Sequence, residues 1–355
     1  MQIAIVSDAW HPQRNGVVRV LESIIGHLEA RGDRVSVIAP DKFRTLPCPT
    51  YPEIRLALMP GSRVTKLLDA AEADAIHIAT EGPLGQAARS YCLKRGLPFT
   101  TAYHSKFPEY INERTGVPLS WLYGWMRRFH GPARRVLAPS PSVYRELMQQ
   151  GFPNAVAWSH GVDTDTFYPR GKGFFEEVTG RAVERPLNLY IGRVTVDKNL
   201  PGFLDLDLPG SKVVVGDGPS RKQLMKRYPD VLFHLCNGDD QLARAYSDGD
   251  VFVFPSRTDT FGLVMLEAMA CGVPVAAFPV TGPLDVIGHS RAGVLDEHLA
   301  VATARALSIP SHVARDHAEG FSWARATDEF RAFLAPLKPE ADALDAEAVP
   351  VARAG

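Results

Sequence analysis

Val251–Gly272 reads VFVFPSRTDTFGLVMLEAMACG, and its two halves follow different periods. VFVFP is a short, wholly apolar run, as a strand buried on both faces of a parallel sheet requires. Thr258, Asp259 and Thr260 are good N-cap residues, Phe261–Cys271 reads as a helix, and Gly272 with Pro274 stops it. A helix starting at the carboxyl end of a parallel strand presents free backbone N–H groups and a partial positive charge, which suits a phosphate. Leu263, Val264, Met265, Leu266, Ala268, Met269 and Ala270 leave this helix almost no polar face, so burial all round is predicted. Glu267 lies in its middle, and a buried carboxylate is costly unless satisfied. Two partners fit: a ribose diol, which offers two hydroxyl donors, or a structural partner such as backbone or an Arg.

The same strand-then-helix unit recurs along the whole chain, which predicts parallel α/β architecture. Upstream in this half, Leu187–Ile191, Lys212–Val215 and Val231–Leu235 read as strands, and Val273–Phe278 follows downstream. Earlier still, Gln2–Ser7, Arg34–Ala39, Ala75–Ala79 and Pro98–Tyr103 are strands, Val17–Ala30 is a helix closed by Gly32, and Val136–Pro139 ends the first sheet. The segment from Gly161 to Glu184 breaks this rhythm and reads as a linker. The predicted organisation is two Rossmann-like domains facing across a cleft: 1–165, 166–320, a C-terminal helix at 321–336 packing back on the first domain, and a disordered tail at 337–355.

The chain's 355 residues, 45% of them hydrophobic, are enough for two cores. A net charge of −1 excludes any global pull toward nucleic acid. The first 165 residues carry 19 Lys and Arg against 15 Asp and Glu, the rest 20 against 25, so the first half is the one suited to an anionic surface. Cys48, Cys92, Cys236 and Cys271 are scattered without a Cys-x-x-Cys pair, which fits a reducing cytoplasm rather than a disulfide framework or structural zinc. MQIAIVSDAW runs straight into a strand and reads as no signal peptide; no apolar run reaches the roughly 20 residues of a membrane span.

Two further loops join the constellation in the second half. Gly192-Arg193-Val194-Thr195-Val196-Asp197-Lys198 follows a strand and sets Arg193 and Lys198 where two cations can neutralise a pyrophosphate. Gly216-Asp217-Gly218-Pro219 follows another strand, and Gly216 and Gly218 allow close backbone approach to a flat ligand such as a base. With Ser256–Gly272 and Val273-Pro274-Val275, these loops resemble the donor half of the family-4 retaining glycosyltransferases of the GT-B fold, over roughly residues 1 to 335. The resemblance implies that Arg193, Lys198 and backbone amides near Thr260, Phe261, Gly262 and Leu263 bind the diphosphate of a nucleotide sugar. It further implies that Glu267 binds the ribose and that Asp259 meets the sugar hydroxyls. The family commonly has Glu where Asp259 stands; Asp is one methylene shorter.

In the first half, Asn15-Gly16 precedes a helix, and the resemblance implies that Gly16 lies under the diphosphate and sugar. His104 closes the strand PFTTAYH and is implied to contact the transferred sugar; Glu81, after AIHIA, is an acceptor-contact candidate. Each also has a bland alternative, an ordinary turn or a structural polar residue. On a helical wheel of Pro118–Arg135, Trp121, Trp125, Pro118, Phe129, Leu122, Met126 and Leu119 share an arc of about 160°, with Arg127, Arg128, Arg134 and Arg135 outside it. That pattern suits either a core helix with a basic side or an interfacial helix on anionic lipid. Resemblance to the sulfoquinovosyl-, mannosyl- and glycolipid-transferase branch points to the second.

Three D-x-D triplets, Asp163/Asp165, Asp205/Asp207 and Asp248/Asp250, are the only metal-like pattern, and Arg193 with Lys198 supplies the charge a metal would. No essential metal and no cofactor beyond the nucleotide-sugar co-substrate is therefore expected. The predicted activity moves a hexose or uronic acid with retention from a nucleotide sugar, UDP before GDP, to a lipid such as diacylglycerol. The expected place is the cytoplasmic face of the inner membrane. A GDP-mannose-dependent enzyme, a transferase acting on polysaccharide or soluble glycoside, a sugar-nucleotide epimerase and a non-catalytic sensor are the alternatives. A dehydrogenase is disfavoured because no G-x-G-x-x-G follows the first strand.

Overall fold

The computed structural model describes residues 1–13, 15–48 and 54–338; the end of the predicted tail, 339–355, lies outside the described residues. The first half is a six-stranded parallel sheet made of β1 (Gln2–Val6), β2 (Arg34–Ile38), β5 (Ala75–Ile78), β6 (Thr100–Ala102), β7 (Arg135–Ala138) and β8 (Ala155–Ala157) in the order β2-β1-β5-β6-β7-β8. A short antiparallel hairpin, β3 (Thr45–Pro47) and β4 (Arg55–Ala57), follows β2. The second half is another six-stranded parallel sheet, β9 (Asn188–Ile191), β10 (Lys212–Val215), β11 (Leu232–His234), β12 (Val251–Phe254), β13 (Val275–Ala277) and β14 (Gly293–Leu295), in the order β11-β10-β9-β12-β13-β14. β1, β5, β9 and β12 are buried along almost their whole length, because helices cover both sheet faces.

Strand order reverses between β1 and β5 in one sheet and between β9 and β12 in the other. At such switch points adjacent loops leave in opposite directions and open a crevice at the carboxyl edge. The loop after β1 leads into the helix that Gly16 opens, and the loop after β5 carries Glu81; the segments after β9 and β12 carry Arg193, Lys198 and Asp259.

The sheets extend further than the sequence predicts. β8 lies beyond Val136–Pro139, which was expected to end the first sheet, and β14 lies beyond Val273–Phe278. Both are three-residue edge strands, too short to show a period. The expected linker is also partly core. Phe167, Phe174 and Phe175 are buried in the second half, and Phe174–Thr179 forms a helix. Asp248 anchors it by accepting from the backbone N–H of Gly173 at 2.8 Å and of Phe175 at 2.9 Å.

Helix Trp323–Phe333 returns to the first half. Phe330 packs in a T-shape on His77 at 4.9 Å, Trp158 donates its indole N–H to the Ala326 carbonyl at 2.9 Å, and Arg331 pairs with Asp33 at 3.0 Å. The chain then bridges from Pro336 to Ala75 on β5.

Candidate active site

Lys198 ends a 3-10 turn after β9, and Asp259 lies in the loop after β12; the two form an ion pair across the switch point. Asp197, beside Lys198, accepts from the Tyr110 hydroxyl of the first half at 3.2 Å. The Tyr190 hydroxyl donates to the Arg193 carbonyl at 2.9 Å and so fixes the shape of the cation-bearing loop. The second oxygen of Asp259, Oδ2, is shielded from solvent and takes no hydrogen bond from a described residue.

His104 stands opposite, just beyond β6. Its carbonyl accepts from Thr260 Oγ1 at 2.8 Å, which ties the two sides of the cleft together. Its ring lies 6.1 Å from Trp158 and 6.4 Å from His160, and His160 packs on Phe261 at 4.9 Å. Nε2 of His104 is likewise shielded and without a partner among the described residues. Burial lowers the His104 pKa to about 4, so the ring is neutral near pH 7 and can donate or accept. Buried polar groups are normally hydrogen-bonded, so both atoms are open to a partner supplied by water or by a polar ligand.

The helix Leu263–Ala270 starts two residues later than Phe261. Its cap is Gly262 at φ 89°, with no side-chain capping bond, while Thr258, Asp259 and Thr260 lie outside the cap position. A side chain at Gly262 would be strained at that φ and would press a Cβ to 2.6 Å from Met265 Cε. First-turn N–H groups near Leu263 are therefore left without a capping side chain at the switch point. Gly16, the first residue of helix Gly16–Ala30, leaves open space where its Cβ would be, with Asn15 capping the helix through Val18 N–H at 3.1 Å.

The structure adds neighbours to three further sequence expectations. Gly216 and Gly218 were expected to make room for a base. A Cβ on Gly216 would lie 2.0 Å from the Gly192 carbonyl oxygen, and one on Gly218 2.4 Å from that of Val194. These glycines let the two loops of the second half pack on each other. Glu267 is buried and each of its oxygens has one protein partner: Arg19 Nε lies 2.8 Å from Oε1, and the Tyr246 hydroxyl donates to Oε2 at 2.8 Å. Finally, the apolar arc of helix Leu119–His130 divides. Met126 and Phe129 are buried, whereas Trp121 is 74% exposed and Trp125 40%.

Glu81 accepts from the buried His130 ring at 3.2 Å, and that ring also contacts Thr101 Oγ1 at 2.8 Å. Trp121, Trp125, Arg127 and Arg128 are on the exposed side of helix Leu119–His130, and Arg127 reaches the Gln150 carbonyl at 2.8 Å. Four of the D-x-D carboxylates have structural partners. Asp163 caps its own turn, Asp205 meets Arg227 and Tyr228, and Asp248 with Asp250 holds Arg185. Sequence reasoning missed Arg19, Asp239, Tyr246 and His160. The available signal for Arg19 was a charged residue among Val17, Val18, Val20 and Leu21 on one helix.

The Glycosyltransferase Family 4 model matches residues 14–166, and the Glycosyl transferases group 1 model matches residues 189–309. Sulfoquinovosyl transferase SQD2 of Arabidopsis thaliana is 30% identical, over 89% of this chain and 70% of that protein. A GDP-mannose-dependent alpha-mannosyltransferase of Mycolicibacterium smegmatis is also 30% identical, over 83% and 84%. Among solved structures, Anabaena Alr3699/HepE with UDP and glucose superposes at TM-score 0.69 with 16% identity, over 94% of this chain and 98% of that one. Sucrose-phosphate synthase of Thermosynechococcus elongatus superposes at 0.72 with 21% identity, over 93% and 97%. With two six-stranded parallel sheets and relatives matched over most of their length, this chain belongs to glycosyltransferase family 4 and has the GT-B fold.

Proposed function

We propose that the protein transfers a hexose or uronic acid, with retention, from a nucleotide sugar to a lipid acceptor such as diacylglycerol at an anionic membrane surface. The acceptor hydroxyl attacks the anomeric carbon from the side of the leaving group. The bond from that carbon to the phosphate oxygen breaks, its electron pair stays on the phosphate, and the hydroxyl proton passes to the same phosphate. Lys198, Arg193 and the first-turn N–H groups near Gly262 and Leu263 stabilise the departing nucleoside diphosphate. Lys198 and Asp259 are paired with each other. A bound donor offers phosphate to one and sugar hydroxyls to the other, and His104 Nε2 reaches the sugar from the opposite wall.

The observation that carries the lipid reading is the outer face of the first half, where Trp121, Trp125, Leu119 and Phe107 are all exposed. Phe107 and Trp125 rings pack at 5.8 Å, and Arg127 and Arg128 follow on the same helix. Exposed tryptophans beside arginines suit the headgroup boundary of an anionic bilayer. The SQD2 likeness suits a sulfoquinovosyl-type sugar, while the alpha-mannosyltransferase likeness favours GDP-mannose as donor, so the donor panel must include both nucleotides. Among the described residues no helix is long and apolar enough to cross a membrane. The test is nucleotide release from UDP and GDP sugars, with and without diacylglycerol in anionic vesicles. Lipid-dependent release of one nucleotide is the expected result; release only with soluble sugar acceptors overturns the lipid acceptor.

A further inference from the structure

Arg19 stands on the first turn of helix Gly16–Ala30, three residues beyond Gly16, yet its guanidinium belongs to the second half. Nε lies 2.8 Å from Glu267 Oε1, Nη1 lies 3.2 Å from Asp239 Oδ1, and the guanidinium carbon lies 5.1 Å from the centre of the Phe167 ring. Burial works against the charge on Arg19, but the Glu267 and Asp239 carboxylates hold its pKa above the ordinary guanidinium value. The other Glu267 oxygen accepts from Tyr246, which is fully buried. Each carboxylate oxygen is thus fixed by one protein donor. A carboxylate has about four lone-pair sites, so one acceptor position on each oxygen remains, matching the two hydroxyls of a vicinal diol. Asp239, on helix Gly238–Asp248, holds the guanidinium from a second element.

We propose that Arg19 is a positioning residue for the donor: from the first half it orients Glu267 of the second half toward the ribose diol of a nucleoside diphosphate. This rests on the donor-site reading above and extends it to a residue of the facing domain. It makes nucleoside binding and cleft closure one event, because the ribose contact is complete only when the first half delivers its cation.

The test is calorimetric titration of the full chain with UDP and GDP, then with the 2′-deoxy form of whichever binds, and with inorganic pyrophosphate. Arg19→Ala is expected to raise the nucleotide Kd about tenfold or more and the donor KM more than it lowers kcat, with Arg19→Lys intermediate. The loss should shrink for the 2′-deoxynucleotide and vanish for pyrophosphate, neither of which a general folding defect would arrange. Arg19→Ala combined with Glu267→Gln should be no weaker than Glu267→Gln alone. Unchanged or tighter nucleotide binding by Arg19→Ala, while Glu267→Gln is impaired, overturns the role of Arg19 and leaves the donor site standing. If Glu267→Gln also binds normally, the ribose reading itself fails and the proposal with it.

Discussion

Lys198 Nζ pairs with Asp259 Oδ1 between the loops that leave β9 and β12, the adjacent strands at which the second sheet reverses its order. The pair sets a cation and a carboxylate side by side at the switch point of that sheet. Asp259 is shorter than the Glu common in the resembled family, and Lys198 reaches it directly; its second oxygen takes no hydrogen bond from a described residue.

Removing that cation should act on the transition state. Lys198→Ala is expected to lower kcat/KM about 10²- to 10³-fold, the usual loss of one charge-stabilising donor. Steady-state transfer assays check this; an unchanged value would remove Lys198 from the reaction.

Three imidazoles make stability depend on pH. Burial lowers His104 to about 4; burial and then the His104 charge lower His77 and His160 to about 3. In the unfolded chain each titrates near 6.5, so on acidification the unfolded state takes up protons first. Their contribution is complete above pH 6.5 and is lost as pH falls toward the folded values, by about 1.4 kcal/mol per unit for each ring. Melting temperature should therefore drop between pH 7.5 and 5.5, and His160→Gln should make that drop shallower. A flat profile would contradict the neutral buried rings.

The outer aromatic face separates membrane binding from folding. Trp121 is 74% exposed, so Trp121→Ala should change stability by less than about 0.5 kcal/mol. Sedimentation with vesicles rich in anionic lipid should nevertheless fall several-fold for Trp121→Ala combined with Trp125→Ala. Equal sedimentation of variant and wild type would refute the membrane contact.

The returning C-terminal helix should be structural. Phe330 is fully buried between His77 and Trp158. Phe330→Ala is expected to cost about 3–5 kcal/mol, read by denaturant unfolding, with little change in nucleotide affinity if unfolding is avoided.

The alternation of apolar strands with helices, and the loops holding Arg193, Lys198, Asp259 and His104, could be read along the chain because each depends on local order. A buried parallel strand must be apolar, and the loop at its carboxyl end must turn toward the crevice. The fully apolar helix around Glu267 was legible for the same reason. Tertiary structure alone decided what satisfies Glu267, since Arg19 and Glu267 are 248 positions apart and meet only when two domains close. It alone gave Gly216 and Gly218 their neighbours, because close approach between loops after different strands leaves no periodic trace. It also divided the aromatic arc of helix Leu119–His130. A helical wheel orders side chains around an axis, but only packing against the rest of the sheet chooses which part of the arc meets solvent.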